Sequence, residues 1–96
     1  MRPSLALEAN RQAIREIVAR NRAANPRVFG SVARGEDVDG SDLDILVDAL
    51  PGTTYFHLSD LQDDLEGLLG IKVDLVTAGG LRKRIRDRVM AEAVPV

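Results

Sequence analysis

The sequence predicts an α/β fold of the α+β kind, a small mixed sheet flanked by helices. Two observations carry that reading. The apolar residues change period several times, from three-and-four spacing to alternation and back, in the order α, β, β, α, β, α. The breaks between these stretches fall on Gly and Pro, at Pro26, Gly30, Gly35, Gly40, Pro51-Gly52, Gly70 and Gly79-Gly80.

Residues Leu5 to about Arg22 read as the first helix, because Leu7, Ile14, Ile17 and Val18 share one helical face. Ser4 is the expected N-cap, and Asn25-Pro26 is expected to end the helix, since a residue before proline avoids helical backbone. Arg27-Val28-Phe29 is a short strand signal running into Gly30-Ser31. The acidic, glycine-bounded stretch from Gly35 to Gly40 reads as a surface loop. Leu43 to Val47 is a strand with Leu43, Ile45 and Val47 on one side. Leu58, Leu61, Leu65 and Leu68 recur at helical spacing, so a second helix spans Tyr55 to Leu69 with Gly70 as its C-terminal cap. Ile71 to Val76 is β-branched and alternating, hence a strand. Leu81, Ile85 and Val89 predict a last helix running to about Ala93, before Pro95.

With 96 residues the chain is expected to form a single domain, 1–96. It has no cysteine, which excludes a disulfide scaffold and thiolate metal sites. No stretch approaches the roughly 20 apolar residues that cross a bilayer, and Glu8, Asn10, Arg11 and Gln12 interrupt any signal-peptide core, so no membrane association and a cytoplasmic location are expected. The net charge is −2 and only 3% of residues are aromatic, so neither a strong positive field nor stacking platforms are available, and direct nucleic-acid binding is not expected.

The chemistry concentrates in Gly30-Ser31-Val32-Ala33-Arg34-Gly35 and, after a short loop, Ser41-Asp42-Leu43-Asp44. Two acids at alternate strand positions face the same way and repel unless a cation sits between them, and Mg²⁺ prefers such oxygen ligands. Asp74, between Val73 and Leu75 on the third strand, is placed to stand beside Asp42 and Asp44 if the strands pair. Asp42, Asp44 and Asp74 are therefore the candidate metal ligands and catalytic residues, for two Mg²⁺ ions. Gly30 lets backbone approach a phosphate closely, and Ser31 adds a hydroxyl, either to phosphate or as the cap of a short following helix. Arg34 is expected either to reach phosphate or to pair with one of the carboxylates.

The strings GSVARG, SDLDILV and KVDLVT resemble the minimal nucleotidyltransferase family of the DNA polymerase β-like superfamily, over nearly the whole chain. The resemblance implies the nucleotidyltransferase fold, with Gly30-Ser31 as the family's glycine-serine pair, Asp42 and Asp44 as its metal-binding aspartates and Asp74 as its third carboxylate. Gly30, Ser31, Arg34 and Ser41 are the expected nucleotide-binding residues. ATP is the implied substrate. The resemblance implies an antitoxin paired with a HEPN-domain ribonuclease toxin, as proteins of this size in that family often are, and some of them transfer AMP from ATP to a tyrosine of that toxin. The alternatives are an antitoxin acting by occlusion without catalysis, and transfer to a small molecule or RNA.

The remaining charged residues have plainer expected roles. Asp37, Asp39 and Asp48 read as solvated loop acids, and His57 as a surface or capping residue. Asp60, Asp63, Asp64 and Glu66 are expected to face solvent, and so are Arg82, Lys83, Arg84, Arg86 and Arg88, opposite a buried Leu81-Ile85-Val89 stripe.

Overall fold

The computed structural model describes residues 1–96. Helix α1 covers Pro3–Arg20, strand β1 Ala23–Phe29, the single helical turn α2 Gly30–Ala33, and strand β2 Leu43–Ala49. Helix α3 covers Tyr55–Leu69 and strand β3 Val73–Thr77. A 3₁₀ turn at Ala78–Gly80 leads to helix α4, Lys83–Glu92, and to a short strand β4, Val94–Pro95. The four strands lie in the order β3-β2-β1-β4. The β1–β2 and β1–β4 pairs are antiparallel and β2–β3 is parallel, so the sheet is mixed as expected. The β2-α3-β3 segment is the crossover unit that a parallel pair requires. No helix is long and apolar enough to cross a membrane.

The core lies on one face of this sheet. Leu43, Ile45 and Val47 of β2 are fully buried there, as the alternation predicts, together with Ile14, Ile17 and Val18 of α1 and Leu61, Leu65 and Leu69 of α3. Leu68, assigned to the stripe from sequence, is exposed instead, and Leu69 takes the inward position. Helix α3 matches its predicted bounds because both of its ends are encoded locally. Thr54 and His57 form a reciprocal capping box, with the His57 Nδ1 accepting from the Thr54 N–H at 2.9 Å. Gly70 closes the other end at φ 68°, the left-handed conformation glycine tolerates.

Several boundaries differ from the sequence reading, for reasons that lie in tertiary contacts. Asn25-Pro26 does not end α1; the helix stops at Arg20, and Asn25-Pro26 lies inside β1. There the register with β2 shifts between Ala24 and Arg27, a bulge with Asn25 at φ 53°, which also places Pro26 where no ladder donor is needed. The Asn25 side-chain amide donates to Asp48 at 2.9 Å and Arg27 pairs with it at 3.2 Å, so Asp48 is a partnered acid rather than a free loop charge. Ser4 is not the N-cap of α1. Arg2 occupies that position without a side-chain cap, and Pro3 opens the helix.

The missing cap comes from 33 residues away: the Ser4 N–H donates to the Asp37 carboxylate at 2.9 Å. Asp37 is therefore not solvated; it is 4% exposed, bonded also by Arg2, and held below the usual carboxylate range chiefly by the Ser4 N–H. Glu66, likewise expected in solvent, accepts the Val73 N–H at 2.9 Å and tethers the start of β3. On α4 only Val89 of the predicted stripe is buried, while Ile85 is 46% exposed. The two residues of strand β4 pair with Arg27 and Val28.

Candidate active site

The face of the sheet opposite the core carries the predicted carboxylates. Register partners in a sheet share a face, and one row across the strands reads Phe29, Asp44, Asp74. Asp44 on β2 and Asp74 on β3 thus stand side by side in the parallel pair. The Leu43 N–H donates to the Lys72 carbonyl at 3.0 Å, extending the parallel alignment to the foot of both strands. Asp42, one residue before β2, faces Lys72 at 3.8 Å.

The electrostatics agree with that convergence. The Asp44 carboxyl is pushed up to about 6, first by burial and then by the charges of Asp74 and Asp42, with Arg34 partly offsetting them. The charges of Asp74 and Asp42 both reach the Asp44 carboxyl. All their donor atoms are oxygens, which suits a hard dication such as Mg²⁺. The three do not come together as a metal-holding group, since no group of three His, Cys, Asp or Glu side chains is arranged to hold a metal ion. Mg²⁺ commonly takes one or two carboxylates and completes its shell with phosphate oxygens and water, so the donor set fits the ion in the presence of a nucleotide.

The glycine-serine turn lies against this row. Phe29 ends β1, and Gly30 opens α2 at φ 70°. A Cβ added to Gly30 would fall inside the Asp44 carboxylate, so glycine is required here by both conformation and space. Ser31 is half-buried and does not cap α2; Phe29 occupies the N-cap and no side chain bonds there. Ser41 is used within its own loop, its Oγ accepting the Val38 N–H at 3.0 Å.

Arg34 does not take the carboxylate-pairing role. It pairs with neither Asp42, Asp44 nor Asp74; its guanidinium binds Glu92 at 3.2 Å and Glu36 at 3.4 Å. Glu92 is the residue that sequence reasoning missed. Its carboxylate also accepts the Gly30 N–H at 2.8 Å. Nothing in the local pattern marks Glu92; its place follows from β4, which turns the end of α4 back onto β1. Lys72 beside Asp42 was missed for a similar reason, because its reach depends on the β2–β3 alignment. Neither of the two surface concavities includes these residues: one lies between α3 and β3 around Leu58 and Leu75, the other between α1 and β1 around Val18 and Pro26.

Residues 11–96 match the family described as the nucleotidyltransferase domain. The chain belongs to that family. The domain is 44% identical over 69 residues to the protein adenylyltransferase MntA of Thermococcus cleftensis, covering 72% of this chain and 70% of the relative. A solved structure of an inferred minimal nucleotidyltransferase superposes with a TM-score of 0.89 at 46% identity, over 97% of this chain and 95% of that one. A crystal structure of a toxin–antitoxin with AMP-PNP shares the fold, with a TM-score of 0.78 at 24% identity over 90% of this chain and 71% of that one. The fold expected from the GSVARG and SDLDILV strings is the one observed.

Proposed function

We propose that this domain is the antitoxin of a toxin–antitoxin pair, and that it transfers AMP from ATP to a hydroxyl of its partner. The partner is a HEPN-domain ribonuclease and the acceptor a tyrosine. The carrying observation is the alignment of Asp44 with Asp74 beside the Gly30-Ser31 turn. The kinship with a named protein adenylyltransferase and the AMP-PNP held by a toxin–antitoxin of the same fold support ATP and a protein acceptor. The acidic row lies on an open sheet face outside both concavities, which leaves the acceptor side to be supplied by another molecule.

In this reading Asp42, Asp44 and Asp74 would hold Mg²⁺, which when bound neutralises charge on the phosphate oxygens. Gly30 brings backbone close to the triphosphate, and Ser31 donates a hydroxyl to it. The acceptor hydroxyl oxygen attacks the α-phosphorus, the bond to the β-phosphate oxygen breaks, and pyrophosphate leaves. Asp74, the most exposed of the row, takes the hydroxyl proton.

The test is transfer of label from α-labelled ATP to the toxin, with wild-type protein and with an Asp42→Ala, Asp44→Ala double variant. Labelling and neutralisation by wild type, both lost in the folded double variant, is the expected result. Neutralisation that persists in the double variant, with no label on the toxin, would mean that the domain acts by occlusion. Label on tRNA or an antibiotic but not on protein would change the acceptor class.

A further inference from the structure

We infer that Glu92 is a positioning residue of the active site, fixing the Gly30-Ser31 turn and holding Arg34 away from the carboxylate row. This rests on the transferase reading above. Two contacts from one side chain support it: Glu92 Oε1 accepts the Gly30 N–H at 2.8 Å, and Oε2 receives Arg34 at 3.2 Å. Both partners lie about sixty positions back in the chain, so these contacts are not incidental to helix α4. They are aimed by β4, whose Val94 pairs with Val28, immediately before the Phe29-Gly30 turn.

The consequences are geometric and electrostatic. Gly30 is held from two sides, by Glu92 at its N–H and by the Asp44 carboxylate where a side chain would otherwise be. The peptide that leads into Ser31 is thereby fixed relative to Asp44. Arg34 is held by Glu92 at 3.2 Å and Glu36 at 3.4 Å. Released from Glu92, a flexible guanidinium would compete with a dication for the carboxylate row. Glu92 therefore keeps the acidic row available to a cation and the turn available to phosphate.

The experiment compares wild type, Glu92→Gln and Glu92→Ala in three readouts: kcat and KM for ATP in transfer, the Mg²⁺ concentration giving half-maximal rate, and calorimetric binding of Mg·ATP. The Gln variant keeps an acceptor for the Gly30 N–H and loses the charge that holds Arg34. It should raise the Mg²⁺ requirement and weaken Mg·ATP binding by about tenfold, with kcat nearly restored at saturating Mg²⁺. The Ala variant should in addition lower kcat by about ten- to a hundredfold. Adding Arg34→Ala to Glu92→Gln should restore the wild-type Mg²⁺ requirement. Unchanged Mg²⁺ dependence and Mg·ATP binding in the Gln variant, whose shape matches wild type, would overturn the inference. If wild type itself transfers nothing, the transferase reading fails, and the binding readout still decides the role of Glu92.

Discussion

Gly30 packs against the Asp44 carboxylate with no space for a side chain between them. Backbone at the start of α2 and a side chain of β2 are thereby brought into contact. Gly30→Ala forces both a left-handed alanine and an overlap with Asp44. It should cost about 1–3 kcal/mol in urea unfolding and lower transfer at least about tenfold, beyond what the lost stability accounts for. A variant as stable and active as wild type would show that Asp44 moves aside freely.

Asp44 has a pH signature of definite sign. Its carboxyl ionises near 3.8 in the unfolded chain and is pushed up to about 6 in the fold. The folded chain therefore binds that proton more tightly, and the stability this confers is complete below about pH 4 and lost as pH rises through about 6. In metal-free buffer, the difference in Tm between wild type and Asp44→Asn should shift against wild type across that window. A difference that is flat from pH 4 to 7 would mean that neither burial nor the charges of Asp74 and Asp42 raise the Asp44 carboxyl.

Asp37 should titrate in the opposite sense. The Ser4 N–H holds it below its usual range, so its contribution is present at neutral pH and lost on acidification below about 4. Asp37→Ala removes the cap of α1 and leaves the Ser4 N–H without its acceptor. We expect a loss of about 1–2 kcal/mol by urea unfolding at pH 7, shrinking as the pH is lowered, with transfer by the folded protein unchanged.

Asp74→Asn separates proton transfer from nucleotide binding. Transfer should be abolished while Mg·ATP still binds in a calorimetric titration, with affinity within about tenfold of wild type. Surviving transfer would remove Asp74 from the role of base.

The legibility of this protein followed the range of the forces involved. The α3 helix and the inward face of β2 were readable from sequence because a capping box, a terminal glycine and strict alternation are local signals. Asp42, Asp44 and Asp74 were readable as a pattern, and the alignment of Asp44 with Asp74 required only that β2 and β3 pair. Asp37, Glu66 and Glu92 were read as solvent-facing or passed over. Each bonds a backbone N–H far along the chain or beyond its own helix, and no local period encodes such a partner. The carboxylate that pairs with Arg34 was missed for the same reason: Glu92 is 58 positions away.

The parallel alignment of β2 with β3 also has a temporal meaning. Asp44 and Asp74 are neighbours only after α3 has crossed over and β3 has docked in the right register, and a slip of one residue would turn Asp74 to the opposite face. A chain still emerging from the ribosome holds at most part of the acidic row, and Glu92 arrives later still. In the proposed reaction, the site is complete only once β3 and β4 have both docked.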